Sequence, residues 1–271
     1  MVWFWILWAS IAAALEPTST SAEGLAAQLL QVERHIRDAA QPLDAALMEA
    51  GHQQQVIYRY LVTHPELREP VFAALPEDVR DIAKTNVFAT SQIMRTVGKS
   101  RVAVPPWTIV APAEILDLQS HYMAAEEEFG VPWEILAGIH LVETRMGRLR
   151  GVSTAGAKGP MQFIPETWAR FGEGDIENNR DAIFAAARHL KHHGAPDRID
   201  KALWHYNPTD RYVNAVRGYA SMIEQNPLAY RGYYAWQVYY KTIRGYLHLP
   251  EGYAETEKIP VDTWCAANDC P

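Results

Sequence analysis

Glu143 is the residue whose type and place in the chain suit proton chemistry. It ends the run 133–143, in which Ile135, Ile139, Val142 and Met146 recur at i, i+4, i+7 and i+11. That spacing predicts a helix with one apolar stripe, and Gly147 stands where a C′ residue would end it. A glutamate beside the stripe in the last turn meets the negative end of the helix dipole. Burial at the edge of an apolar face would favour its neutral form further. A carboxyl kept protonated near neutral pH is what a general acid needs. The plainer reading is a solvated helix-end glutamate, which an isolated glutamate usually is.

The segment 153–168 weighs against the plain reading. It gathers two glycines, several small residues and two prolines around one glutamine, Gln162. Glycine permits close backbone approach, and Pro165 suits the first position of a following helix. The expectation is a tight loop folded back over the end of the Glu143 helix. Further on, Tyr206-Asn207 closes a short helix before Pro208, where a core tyrosine and a turn residue would also serve.

Taken together, these motifs resemble the SLT-type lytic transglycosylases, relatives of goose-type lysozyme that cleave peptidoglycan. The family's catalytic glutamate followed by Ser or Thr is matched by Glu143-Thr144. Its Gly-x-Met-Gln is matched by Gly159-Pro160-Met161-Gln162, its Pro-x-Thr by Pro165-Glu166-Thr167, and its Tyr-Asn pair by Tyr206-Asn207. The chain departs from the commoner pattern at Pro160, where Leu is usual, and at His205 and Pro208-Thr209 around the Tyr-Asn pair.

The resemblance implies an all-α, lysozyme-like domain over about 113–225. By the same carry-over, Glu143 would be acid and then base. Thr144, Ser153, Gln162, Tyr206 and Asn207 would hold substrate or orient the acid, and Met161 would line the groove. Glycosidases usually use two carboxylates. The nearest downstream candidates for a second are Glu166 and Asp175, and no motif aims either at Glu143. The transglycosylase route needs no second carboxylate. A lysozyme-like hydrolase using Glu166 or Asp175, and a wall-binding protein with a relic groove, are the rival readings.

The rest of the chain supplies the setting. Residues 23–103 read as a helical N-terminal region. Leu25, Leu29, Val32 and Ile36 hold helical spacing, 56–61 forms a short helix or buried run, and a longer helix starts at Pro76 and runs to Gly98. Gln53-Gln54-Gln55 reads as a solvated face. The closely spaced prolines of 104–112 predict an extended linker. From 113 a helix carries Leu116, Leu118, Tyr122 and Met123, and Asn178 or Asn179 would cap another. Residues 226–271 form an aromatic-rich extension, read as a cover packed on the domain rather than as a sugar platform. Its Cys265 and Cys270 suit a small disulfide loop in an exported protein.

Val2 to Leu15 is uncharged and apolar and short for a membrane span. With Ala12-Ala13-Ala14 behind it, the run over 1–22 suits a secretory signal, although no Lys or Arg precedes it; an uncleaved anchor is the alternative. Export to the cell envelope or outside follows from either. A net charge of -7 gives no reason to expect nucleic-acid binding, and no attraction to an anionic wall, so affinity should come from a shaped groove. His189, His192 and His193 share a helix end, but no acid or cysteine completes a metal site, and no cofactor is expected. Peptidoglycan strands are the expected partner of a monomeric chain.

Overall fold

The computed structural model describes residues 16–268 and 270. The apolar run expected as a signal or anchor lies outside them up to Leu15. Among the described residues, no helix is long and apolar enough to cross a membrane.

The chain is mostly helical, with a few short strands. The elements in order are α1 (Ala22–Arg37), α2 (Ala45–Thr63), α3 (Arg68–Ala74), α4 (Glu77–Thr96), β1 (Ala103–Val104), β2 (Thr108–Ile109), α5 (Ile115–Phe129) and α6 (Trp133–Thr144). There follow β3 (Leu149–Arg150), α7 (Pro165–Phe171), α8 (Asn179–His192), α9 (Ile199–Tyr206), α10 (Asp210–Gln225), α11 (Ala229–Tyr234), β4 (Val238–Thr242), β5 (Gly245–Leu249), β6 (Ile259–Pro260) and α12 (Val261–Ala267).

Local chemistry sets many of these boundaries. Ser21, Asp44, Asn178 and Thr209 each accept a hydrogen bond from a first-turn amide, which satisfies one of the donors a helix start leaves free. Gly130 takes the left-handed conformation that closes α5, and Val131-Pro132 then opens α6. In α1 the expected stripe of Leu25, Leu29, Val32 and Ile36 is buried. In α5, Leu118 and Tyr122 are buried, whereas Leu116 and Met123 face solvent.

Two expectations change. The 56–61 run is the second half of a nineteen-residue helix, α2. Its first half carries no clean apolar period, because Gln54 and Gln55 are buried rather than solvated. Gln54 donates to Glu33 Oε1 (2.8 Å) and accepts from the Trp236 indole (2.9 Å). Gln55 exchanges both of its amide groups with the backbone of Gln237. Tyr58 also donates to Glu33, and Tyr233 donates to Asn86. Burying polar groups is tolerable only when they are bonded, and this network meets that condition.

The network also joins distant parts of the sequence. One continuous core runs from Leu25 through the helices of 115–225 to Trp236. At its centre α10 packs against α4 on one side and α6 on the other. Gly218 and Gly138 permit these approaches: a Cβ at Gly218 would stand 2.8 Å from Ala89 Cβ, and one at Gly138 would stand 3.2 Å from Val216 O. The N-terminal helices therefore form one wall of whatever α6 and α10 enclose.

A second, smaller core holds Val104, Ile109, Val238, Leu247, Leu249 and Trp264. Residues 103–109 carry β1, paired antiparallel with β6, and β2, paired with β3. The hairpin β4–β5 completes this unit, and the expected disulfide Cys265–Cys270 closes the end of α12.

Candidate active site

Helix α6 delivers Glu143 to the protein surface. The sequence suggests one apolar stripe, yet Ile135 through Leu141 are all buried, because α5, α8, α10 and α11 surround this helix. Only its last turn reaches an opening. There the chain reverses through three consecutive left-handed residues, Arg145 (φ 55°), Met146 (φ 60°) and Gly147 (φ 80°). The expected glycine stop is thus two residues late: Arg145 takes the cap, with its amide bonded to Leu141 O at 3.2 Å. A non-glycine residue in this region costs on the order of 1–3 kcal/mol, and such strain persists where surrounding bonds enforce it.

Thr144 and the 153–163 loop do the enforcing. The Thr144 hydroxyl donates to Pro160 O (2.6 Å) and accepts from the Gly147 amide (3.0 Å). Lys158 and Phe163 exchange two backbone bonds of 2.9 Å, which folds the loop into a clasp. Gln162 lies at its bend with φ 51° and donates its side-chain amide to Gly159 O at 3.0 Å. Gly159 has φ 74°, and a Cβ there would stand 2.0 Å from Ile176 O. Only glycine fits that position. The Tyr206 phenol donates to Met161 O (2.6 Å) and latches the clasp to α9. Behind the helix, burial holds His140 neutral, down to about 3, with its Nδ1 2.6 Å from the Tyr122 phenol.

Glu143 opens into a cleft of about 400 Å³. Ser153, Thr154, Asn207 and Tyr212 share its wall. Across from them stand Ile93, Met94 and Val97 at the end of α4. Trp107, Tyr239, Tyr240 and Tyr246 form a third side, with Trp107 edge-on to Tyr240 at 5.2 Å between ring centres. Burial pushes the Glu143 carboxyl up to about 7, against the pull of the nearby Tyr212 hydroxyl and the positive charge of Arg145. The Tyr212 hydroxyl is buried and makes no hydrogen bond with any described residue.

The motif residues divide into two groups. Glu143, Thr144, Ser153 and Asn207 border the cleft. Met161 is fully buried in the core, Gln162 is turned into the clasp, and Tyr206 packs on Phe163 with its hydroxyl on Met161 O. Ser153 itself is occupied: its hydroxyl accepts from the amides of Ala155 (3.2 Å) and Ala157 (3.0 Å). Glu166 and Asp175 are exposed and do not line the cleft. His205 from α9 stacks on His193 at 4.2 Å, extending the histidine group at the end of α8.

Sequence reasoning missed Tyr212, Arg145 and the aromatic third side. Tyr212 stands five residues after Asn207 and reads as a core position of α10. The extension does cover the domain through Tyr230, Tyr233 and Trp236, all buried, but Tyr239, Tyr240 and Tyr246 turn to the cleft. The signal was there in the aromatic density of 230–246; the hairpin that divides it in two was not.

The chain is similar to the membrane-bound lytic murein transglycosylase F of Thiobacillus denitrificans, at 30% identity over 153 residues. The match takes in 49% of this chain and 32% of that relative, so the chain spans about a third of the relative's length. No protein-family model and no solved structure matches the chain. The motif resemblance and this relative point to the same kind of protein, a lytic transglycosylase.

Proposed function

We propose that the chain cleaves the β-1,4 bond between N-acetylmuramic acid and N-acetylglucosamine in peptidoglycan, leaving 1,6-anhydro-muramoyl ends. One observation carries this reading. Glu143 is the only carboxylate among the described residues lining the cleft, and burial pushes it up to about 7, which leaves a large share protonated near neutral pH. A two-carboxylate hydrolysis has no second group there to activate water.

In the proposed reaction, neutral Glu143 gives its proton to the glycosidic oxygen as the C1–O bond breaks. The substrate's own N-acetyl group stabilises the positive charge that develops at C1. The Glu143 carboxylate then takes the proton of the C6 hydroxyl, whose oxygen bonds to C1 and closes the anhydro ring. The proton count returns to its start and no water is consumed. Tyr212 and Arg145 favour the ionised form, so they stabilise the carboxylate between the two transfers. The strained turn at 145–147 and the Thr144 bond to Pro160 fix the carboxyl's position, the kind of preorganisation that proton transfer rewards. Trp107 and Tyr240 offer aromatic surface on which sugar rings can stack. An enzyme of this kind works in the cell envelope.

The test is a digest of purified peptidoglycan with the products weighed. Anhydro-muramoyl ends, one water lighter than reducing ends, are expected. Reducing ends would assign a hydrolase, and no soluble product at all would reject the enzyme.

A further inference from the structure

The chain carries 25 basic and 32 acidic residues, yet the cleft has the opposite balance. Arg59, Arg101, Arg145 and Lys241 line it, against Glu143 alone among the described residues. Two of the four cations lack the partners that buried charges normally have. The Arg59 guanidinium on α2 makes no ion pair and no hydrogen bond with any described residue, and its Nη2 is buried. Its guanidinium carbon lies 4.4 Å from the centre of the Tyr239 ring and 4.3 Å from that of Tyr246. Two rings thus hold the group in place while none of its N–H donors is spent on the protein. Arg145 donates Nη1 to the carbonyls of Leu141 and Val142 and leaves Nε buried and unpartnered.

The two guanidiniums are also close enough to repel. Burial takes Arg59 down to about 10, and the charge of Arg145 pushes the same way. Two half-buried, mutually repelling cations, with Glu143 beside Arg145 as the one neighbouring acid in the cleft, add little to the stability of the chain. Another carboxylate, Glu16, borders the adjoining pocket of about 170 Å³ with Arg59 but makes no ion pair with it. Such unspent donors fit a ligand that brings its own negative charge. A planar guanidinium with free edges suits a carboxylate, which it can hold through two parallel bonds.

We infer that Arg59 and Arg145 form a carboxylate-binding site in the cleft, which takes the carboxylate carried on the lactyl side chain of the muramoyl residue or on the peptide attached to it. The identification of the muramoyl residue rests on the proposed glycan cleavage; the carboxylate chemistry does not. The site explains how an acidic protein engages an acidic polymer: the repulsion of the whole surface is reversed where the substrate lies. It also gives the N-terminal helices a part in recognition, since Arg59 belongs to α2 and its two aromatic neighbours to β4 and β5.

The test is calorimetric binding to the full chain of three probes that the reaction does not cleave. They are the disaccharide GlcNAc–MurNAc with a free lactyl carboxylate, its methyl ester, and the same disaccharide bearing a short acidic peptide. The free acid or the peptide form is expected to bind at least about tenfold more tightly than the ester, the weight of one charge-assisted hydrogen bond. In Arg59→Gln that ratio falls towards one. Arg145→Gln carries the same expectation and serves if Arg59→Gln does not fold. Tight binding of the peptide form assigns the stem-peptide carboxylates, and weak binding assigns the lactyl group itself; either supports the site. Equal binding of all three probes by the wild-type chain overturns it, as does a preference for either carboxylate probe over the ester that survives in both variants. Glycan cleavage is read separately: anhydro products without carboxylate preference leave the enzyme and remove this site, and preference without products does the reverse.

Discussion

Replacing Glu143 by Gln should stabilise the fold, and only at the pH where the wild type must ionise. The carboxyl lies near its usual value of 4.5 in the unfolded chain and is raised to about 7 in the fold. Between those values the folded chain holds a proton that the unfolded chain has released. The stability contributed by the neutral carboxyl is therefore present below pH 4.5 and is lost as pH rises through about 7. At 1.36 kcal/mol per unit, the shift corresponds to a loss of up to about 3 kcal/mol by pH 8. The amide in Glu143→Gln does not titrate and escapes that loss. Urea unfolding of both chains at pH 4 and pH 8 isolates the effect, because every other titrating group cancels in the double difference. The variant should gain up to about 3 kcal/mol on the wild type between the two pH values. An unchanged difference, or a wild type that gains on the variant as pH rises, would refute the buried and protonated acid.

Three further perturbations probe the same construction. Tyr212→Phe removes the nearby hydroxyl that favours ionised Glu143, so the alkaline limb of the pH–rate profile should move above the wild type's position near 7; a downward shift would contradict that role of Tyr212. Gly159→Ala puts a Cβ into Ile176 O at a left-handed position, and should cost roughly 2–5 kcal/mol in a denaturant melt and loosen the clasp that holds Thr144. Trp236→Ala empties a fully buried site and strands the Gln54 oxygen, and should cost about 3–5 kcal/mol. Because 22–96 share one core with α6 and α10, helicity and turnover of that variant should be lost in one transition.

What could be read in advance follows physical rules. Glu143 near the end of a helix, the loop folded over it, and the cap at Asn178 are local features. Neighbouring residues specify them, and they stood in the sequence. The start of α2 did not, because Gln54 and Gln55 find their partners in Glu33, Trp236 and Gln237, far away in the chain. The helix stop at Arg145 rather than Gly147 is strain imposed by the clasp, and propensity alone argues against it. The cleft's third side was hidden for a similar reason. Tyr230, Tyr233 and Trp236 are indistinguishable in composition from Tyr239, Tyr240 and Tyr246, and only the turn into the β4–β5 hairpin sends the first group inward and the second to the cleft. Net charge misled as well, since the average over the chain conceals the four cations lining one groove.

The central claim is a single protonated acid facing the cleft, and the titration of that carboxyl tests it directly. Glutamate side-chain carbons can be followed by carbon-13 resonance from pH 3 upward, with Glu143→Gln assigning the signal by its disappearance. The Glu143 resonance should titrate at about 7, well above the exposed glutamates. A midpoint at the ordinary value of 4.5 would mean a solvated carboxylate, already ionised at neutral pH and unable to give the first proton.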